Sequence, residues 1–310
     1  MRLHNFPNEF QDLISIVAEQ KHLPEAAIER DYYIVYLLKN LVDSQYAEQC
    51  VFKGGTSLSK CYPGSIDRFS EDIDLTFLGM DLSDKECDRT IKRIETVMTA
   101  GAETKKIDAE RSNRSKSMYV WFGREANKIK LEIGSSVRPD PYSRKPMKTY
   151  IHEYLESNGF SEAIEKYEFE EISINVLDIT RTFVDKLMSV KRHAICGTLS
   201  DKVRHIYDIK RLYSLPEIQA FLSDKDELKR LMVITKDTDS FYLSRRGVSV
   251  EYNPKGAYDF STWKHNLDNK VKANYESLHK DLLYTDEKQF FDDALIVLEE
   301  IDTILRHIGE

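Results

Sequence analysis

A short apolar segment that runs into two glycines constrains the fold of this chain most. Val51-Phe52 is predicted to be a strand, and Lys53-Gly54-Gly55-Thr56-Ser57 then opens a helix with small hydroxyl residues. Glycine lets the backbone turn sharply, and the first turn of a helix presents N–H groups that have no partner within the helix. Such a turn can hold phosphate oxygens, although Gly-Gly after a strand more often forms a plain turn.

The next predicted strand carries two aspartates. Asp72 and Asp74 alternate with Ile73 and Leu75, so both carboxylates lie on one face of the strand. Like charges side by side are unfavourable unless a cation neutralises them, and Mg²⁺ prefers carboxylate and phosphate oxygens. The pattern therefore indicates a Mg²⁺ site, and a solvated Asp-x-Asp pair on an edge strand is the alternative.

A third carboxylate is expected on a neighbouring strand. Met118–Phe122 and Lys128–Ile133 are predicted to form a hairpin, in which alternate apolar residues of the second strand face the core. Lys130 and Glu132 then share the opposite face. Glu132 is the candidate third metal ligand, and an ordinary solvent-facing glutamate is the alternative.

The rest of the chain predicts two domains of an α+β protein. Two amphipathic helices precede a sheet domain that extends to residue 150, and a mainly helical domain covers residues 151–310. Three prolines within residues 138–146 predict a loop. One alternating strand at 172–176 precedes the helices, and the last helix shows an apolar stripe from Phe291 to Ile308.

Composition limits the function. Forty-five basic and 53 acidic residues give a net charge of −8, so bulk charge cannot hold nucleic acid and any RNA contact needs a local basic patch. The four cysteines lack zinc-site spacing and indicate free thiols, and the absence of a signal or membrane segment predicts a cytoplasmic protein. The candidate RNA-binding residues are Arg111, Arg114, Lys116, Arg138, Arg144, Lys145, Lys148, Lys191, Arg192, Lys202 and Arg204.

Five segments in order resemble the AbiEii/AbiGii (DUF1814) nucleotidyltransferase toxins, a family that includes the MenT toxins and belongs to the DNA polymerase β-like superfamily. The resemblance runs from about residue 30 to about residue 285. It is carried by Lys53-Gly54-Gly55-Thr56-Ser57-Leu58, Arg68-Phe69-Ser70-Glu71-Asp72-Ile73-Asp74-Leu75, Lys130-Leu131-Glu132-Ile133, Arg181-Thr182-Phe183-Val184-Asp185-Lys186-Leu187 and Arg204-His205-Ile206-Tyr207-Asp208.

The resemblance implies a polymerase β-like domain with a mixed sheet flanked by helices, followed by a helical bundle that contributes Lys186 and Asp208 to the cleft. Taken alone, Lys186 could simply extend its charge to water beside an apolar stripe, and Arg204 could pair with Asp208 along one helix. The implied catalytic residues are Asp72, Asp74, Glu132, Lys186 and Asp208, of which the first three bind two Mg²⁺ ions, or Mn²⁺ in their place. The implied nucleotide-binding residues are Lys53, Gly54, Gly55, Thr56, Ser57, Arg68, Ser70 and Arg204.

The implied activity is Mg²⁺-dependent nucleotidyl transfer (EC 2.7.7.-) by the toxin of a bacterial toxin–antitoxin pair. The toxin would transfer NMP from an NTP to the 3′ end of tRNA and so block translation, and a cognate antitoxin protein would be its partner. Two alternatives remain: transfer to a protein hydroxyl or a small molecule, and a catalytically silent interaction module.

Overall fold

The computed structural model describes residues 1–243, 251–280, 282–283 and 287–308. It divides into two compact units. The first comprises Met1–Cys61 and Phe69–Leu177, and the second comprises Tyr62–Arg68 and Asp178–Glu310. The expected domain boundary at residue 150 therefore differs from the division in the structure, which follows the last strand of the sheet.

The described part of the first unit contains one mixed seven-stranded sheet. Its strands are β1 (Cys50–Lys53), β2 (Asp72–Phe77), β3 (Glu103–Lys106), β4 (Ser115–Trp121), β5 (Ile129–Gly134), β6 (Tyr142–Met147) and β7 (Ile172–Leu177). Their order in the sheet is β3-β4-β5-β2-β1-β7-β6. Neighbouring strands are antiparallel, except that β2 runs parallel to β5 and β1 runs parallel to β7.

The helices of the first unit are α1 (Pro7–Lys21), α2 (Glu25–Val42), α3 (Gly54–Cys61), α4 (Asp84–Met98), α5 (Tyr150–Ser157) and α6 (Ser161–Lys166). Helix α4 packs against β4, β5 and α2. Lys116 stands opposite Ile133 in the β4–β5 register, and its ammonium lies 2.6 Å from Asp88 of α4. Helix α4 therefore covers the face of the sheet that carries Ile133, where Ile73 and Leu131 are also buried.

The two predicted N-terminal helices, the β4–β5 hairpin and the helix after β2 are confirmed. The predicted loop at 138–146 is wrong in part, because Tyr142–Met147 forms strand β6. This strand lies at the edge of the sheet and pairs only with β7, a position that tolerates Pro146 because one side of an edge strand needs no donors. Strand β3 was not predicted, since Glu103–Lys106 is exposed and polar throughout.

Helix α3 is fixed in the first unit by a buried ion pair. The Lys60 ammonium at the end of α3 lies 2.6 Å from Asp31 of α2 and 4.0 Å from the ring centroid of Tyr150. Asp31 also accepts a hydrogen bond from the backbone N–H of Tyr150 at 2.6 Å. Three helices are thereby joined, and the direction of α3 is set.

The second unit is helical in its described residues. Asp178 caps α7 by accepting a hydrogen bond from the Thr180 N–H at 2.9 Å, and α7 packs against α8 and α10. The predicted stripe of the last helix is confirmed, with Phe291, Leu298 and Leu305 buried. The helices are α7 (Ile179–Ile195), α8 (Arg204–Tyr213), α9 (Pro216–Ser223), α10 (Lys225–Leu243), α11 (Phe260–Trp263), α12 (Asn269–Glu276) and α13 (Phe291–His307).

All four cysteines are free thiols, of which Cys50 and Cys87 are buried. None of the helices in the described ranges is both long enough and apolar enough to span a membrane.

Candidate active site

Charged side chains form a row across the middle of the sheet. Asp74 of β2 stands opposite Lys53 of β1 on one side and Glu132 of β5 on the other. Residues directly opposite each other in neighbouring strands project to the same face, so these three side chains share one face. Asp72 lies two residues from Asp74 and opposite Lys130, and the same face therefore carries it too. The predicted arrangement of Asp72, Asp74 and Glu132 on one face is present.

Gly54 brings the start of α3 against the carboxylate of Asp74. The backbone of Gly54 has φ +84°, and a Cβ added there would lie 2.2 Å from Asp74 Oδ2. Only glycine allows both this conformation and this approach. Because α3 begins at Gly54, its first backbone N–H groups, which have no partner within the helix, lie beside the carboxylate. A phosphate bound at this helix start would therefore be next to any cation held by Asp74.

Replacing Gly54 with alanine is expected to reduce nucleotide transfer about 100-fold or more, because the added methyl group must displace the Asp74 carboxylate. The matched control is Gly101→Ala, since Gly101 also has a positive φ (+81°) but has nothing within 4 Å of an added Cβ. Transfer rates and melting temperatures are measured for both variants. Backbone strain from the positive φ affects both, whereas a steric clash of the added methyl group with Asp74 affects only Gly54→Ala. Equal losses in both variants would contradict the role given to this contact.

The hydroxyl groups after the glycines hold the loop together. Thr56 donates to the carbonyl oxygen of Asp72, and its oxygen lies 3.0 Å from the hydroxyl oxygen of Ser70. Ser57 is fully buried and donates to the carbonyl oxygen of Gly54 at 2.9 Å. The resemblance assigns both side chains to nucleotide binding; in the structure Thr56 joins the start of α3 to β2, and Ser57 braces the first turn of α3 itself. The groups that remain for phosphate are the backbone N–H groups, at the half-buried residues Gly54 and Gly55.

Glu132 is held by a lysine in this structure. Its Oε1 lies 2.5 Å from the Lys130 ammonium, which also lies 2.8 Å from Oε2 of Glu110. Within the described ranges, no three His, Cys, Asp or Glu side chains converge closely enough to surround a metal ion. The three expected ligands therefore share a face without meeting at one point.

Asp72 and Asp74 alone still fit a magnesium ion. Mg²⁺ is commonly held by one or two carboxylates, with substrate phosphates and water completing its shell. These two aspartates offer hard oxygen ligands from one strand face, and Asp74 adjoins the first backbone N–H groups of α3. The donor chemistry of this pair therefore matches the expected ion, whereas Glu132 would first have to leave Lys130.

Lys186 and Asp208 meet in the second unit, together with Arg68. Arg68 donates to both carboxylate oxygens of Asp208, from Nε at 2.6 Å and from an Nη atom at 2.8 Å. The Lys186 ammonium donates to Asp208 Oδ2 at 2.6 Å. The side chains of all three are at most 5% exposed, so one buried carboxylate serves two buried cations. Arg68 is a bidentate partner of Asp208, and its assignment to nucleotide binding remains a prediction from the resemblance.

The pKa values in this cluster follow from its charges. Burial opposes ionisation of Asp208, but Arg68 and Lys186 outweigh it and lower the pKa of the carboxyl. Burial lowers the pKa of Lys186; Asp208 opposes this lowering, while Arg68 and Arg204 add to it. Arg204 is the first residue of α8, the helix that also carries Asp208.

Lys130 and Glu110, which pair with each other beside Glu132, were not predicted as members of the site. Strand alternation could have indicated Lys130, because it places this residue on the face of Glu132. Glu110 gave no signal, since it lies in a short helical turn outside the strands. The sequence also carries no signal for the pairing of Arg68 with Asp208, because the two residues are 140 positions apart.

The basic residues proposed for RNA binding are largely engaged within the protein. Arg111 pairs with Glu95, Arg114 with Asp84, Lys116 with Asp88, Arg144 with Glu48, Lys148 with Glu156 and Arg192 with Asp239. Lys191 is buried and donates to the carbonyl oxygen of Ala257. These residues therefore do not form the free basic patch that the sequence suggested.

Comparison with known proteins identifies the family. Residues 36–304 match the model of a family described as nucleotidyl transferase AbiEii toxin, type IV toxin–antitoxin system. The fold is similar to that of MenT4, a nucleotidyltransferase toxin from Mycobacterium tuberculosis H37Rv, with a TM-score of 0.48 and 17% identity over 95% of this chain and 98% of that one. A candidate nucleotidyltransferase from H. pylori gives a TM-score of 0.38 and 18% identity over 83% of this chain and 98% of that one.

No curated protein sequence matches the chain. The family model covers most of the length of this chain. It includes the polar sheet face, formed by Lys53, Asp72, Asp74, Lys130 and Glu132, and the cluster of Arg68, Asp208 and Lys186. The chain belongs to the AbiEii nucleotidyl transferase toxin family of type IV toxin–antitoxin systems.

Proposed function

We propose that this protein transfers a nucleoside monophosphate from an NTP to the 3′ end of tRNA, in a Mg²⁺-dependent reaction that blocks translation in the cytoplasm. The observation that supports nucleotidyl transfer is the close approach of Gly54 to Asp74, which places a helix start that could bind phosphate beside a carboxylate that could bind Mg²⁺. Family membership supports the transferase activity and implies a cognate antitoxin partner. The tRNA acceptor rests on the family resemblance.

The residues of the first unit divide the work of binding the triphosphate. The backbone N–H groups at Gly54 and Gly55 would donate to phosphate oxygens, and Lys53, opposite Asp74, would add positive charge beside them. Asp72 and Asp74 would hold magnesium, which steadies the attacking and leaving oxygens when bound. The acceptor hydroxyl attacks the α-phosphorus, the bond to the β-phosphate oxygen breaks, and pyrophosphate leaves.

Positioning and charge neutralisation supply most of the catalysis in such reactions. The sheet contributes because β1, β2 and β5 fix the spacing of Lys53, Asp74 and Glu132 through the backbone register. The Thr56 hydroxyl contributes by tying the start of α3 to β2, and the Ser57 hydroxyl by bonding to the carbonyl oxygen of Gly54 in the first turn of α3. The assignment of Lys186 and Asp208 to catalysis remains a prediction from the resemblance.

A second candidate is transfer to a protein hydroxyl or a small molecule. It is favoured by one observation: most of the basic residues considered for RNA binding are paired with acidic residues of the chain itself. An acceptor without a phosphate backbone would not need a free basic patch.

The test incubates the purified protein and Mg²⁺ with each of the four α-labelled NTPs. The acceptors are total tRNA, periodate-oxidised tRNA that lacks the 3′-terminal diol, and a cell extract freed of nucleic acid. The proposal predicts label on intact tRNA, none on oxidised tRNA, and none with Asp74→Asn. Label only on protein or small molecules would support the second candidate, and absence of label on every acceptor would indicate a silent interaction module.

A further inference from the structure

Lys130 forms an ion pair with Glu132, one of the three carboxylates of the proposed metal site. It projects from β5 on the face of Asp72, Asp74 and Glu132, directly opposite Asp72 in the register. Its ammonium lies 2.5 Å from Glu132 and 2.8 Å from Glu110, and its side chain is 23% exposed, compared with 40% and 41% for the two glutamates. The lysine is thus the most enclosed member of a three-residue ion-pair cluster.

The charge of this face explains why a lysine is held there. Asp74 and Glu132 stand directly opposite each other on neighbouring strands, an arrangement that is destabilising for two like charges. Lys130 relieves this repulsion by pairing with Glu132. A lysine ammonium is charged at neutral pH, so its contact with Glu132 is an ion pair.

The same contact sets a condition for metal binding. Glu132 can serve as the third ligand only if its Oε1 exchanges the Lys130 ammonium for the metal ion. Without nucleotide, the ion gains only the carboxylates, and recruiting Glu132 in addition to Asp72 and Asp74 requires displacing the lysine. With nucleotide, phosphate oxygens add ligands and negative charge, which compensate for the exchange. Lys130 would thus favour simultaneous over separate arrival of metal and nucleotide.

We propose that Lys130 is a positioning residue that holds Glu132 until the metal–nucleotide complex binds, and thereby keeps the metal affinity of the nucleotide-free protein low. This inference rests on the proposed function, because it concerns the same carboxylates. It assigns a role in nucleotidyl transfer to a residue that would not touch the substrate.

The test measures Mn²⁺ binding by electron paramagnetic resonance, with and without an NTP analogue whose α–β bond cannot be cleaved. In the nucleotide-free protein, Lys130→Met is expected to tighten Mn²⁺ binding about tenfold. The analogue should reduce this difference. Lys128→Met is the matched control, because Lys128 is exposed and lies over the Tyr119 ring, and its replacement removes the same charge two residues away. This control should change the affinity by less than about twofold.

A double-mutant cycle distinguishes the direct contact between Lys130 and Glu132 from a general effect of removing one positive charge. In a Glu132→Gln background, Lys130→Met should no longer tighten binding, because the carboxylate that Lys130 holds is gone. Equal tightening in both backgrounds, or none in either, would overturn the inference. Lys130→Gln serves as a second variant if Lys130→Met lowers the melting temperature, and the same outcomes apply to it.

The failure of the inference is distinguishable from the failure of the proposed function. If wild-type protein binds Mn²⁺ with the analogue and Asp74→Asn does not, the metal site stands, and Lys130 alone is judged by the cycle. If no variant binds Mn²⁺ under either condition, the metal site and the role of Lys130 are both overturned.

Discussion

Asp74→Asn should lower the rate of nucleotide transfer about a thousandfold, because it removes a negative charge from the proposed Mg²⁺ site. The substitution keeps the size of the side chain, so the approach to Gly54 and the β2 register should persist. The measurement is the single-turnover rate with labelled NTP at saturating Mg²⁺, together with the melting temperature of the variant.

The control for this substitution is Asp12→Asn, which changes the same functional group at an exposed position of α1. It should leave the transfer rate unchanged. If Asp74→Asn retains most of its activity while Asp12→Asn behaves as wild type, the carboxylate on β2 does not hold the catalytic ion.

Asp208→Asn should lower the free energy of unfolding by about 3 to 5 kcal/mol, because it leaves Arg68 and Lys186 buried without their shared anion. Urea unfolding monitored by circular dichroism measures the change. Asp293→Asn is the matched control: Asp293 pairs with Lys210 on the surface, and the loss of an exposed pair costs at most about 1 kcal/mol. Equal stability of Asp208→Asn and wild type would show that the cluster does not stabilise the second unit.

The pH dependence of stability tests independently how much the ionised Asp208 carboxylate stabilises the folded protein. Burial opposes its ionisation, but Arg68 and Lys186 lower its pKa in the folded protein. The unfolded chain therefore takes up this proton first, near pH 4, and added protons favour unfolding. The contribution of Asp208 is present above about pH 4 and is lost as the pH falls towards its folded pKa. Asp208→Asn should show a smaller loss of stability on acidification than wild type.

The two effects also bear on how activity data are interpreted. The resemblance implies that Asp208 is essential for catalysis, whereas its contacts show a buried ion-pair role. A loss of activity in Asp208→Asn is therefore informative only beside its stability. Lys186→Met offers a comparison, because it removes one of the two cations and leaves Asp208 paired with Arg68.

Much of the polar sheet face could be predicted from local alternation. The period of two in Asp72–Leu75 and in Ile129–Ile133 determines which side chains share a face, and this period is a property of any strand. Sequence alone could not give the distance between Gly54 and Asp74, because it depends on how β2 pairs with β1. The ion pair of Glu132 with Lys130 likewise depends on side-chain conformations that the period leaves open.

The errors have equally specific causes. The three prolines at 138–146 predicted a loop, but Tyr142–Met147 forms an edge strand, and an edge strand accommodates Pro146. The expected division at residue 150 ignored β7, which returns to pair with β1 and β6 and so keeps residues up to Leu177 in the first unit. The pairing of Arg68 with Asp208 could not be predicted, because the two residues are 140 positions apart in the sequence.

A crystal structure of the protein with Mn²⁺ and an NTP analogue that cannot be cleaved between the α- and β-phosphates tests the proposed site most directly. We expect the anomalous signal of manganese to lie at bonding distance from the carboxylates of Asp72 and Asp74, with phosphate oxygens accepting hydrogen bonds from the backbone N–H groups at the start of α3. Manganese and nucleotide bound elsewhere, with both aspartates free of metal, would contradict it.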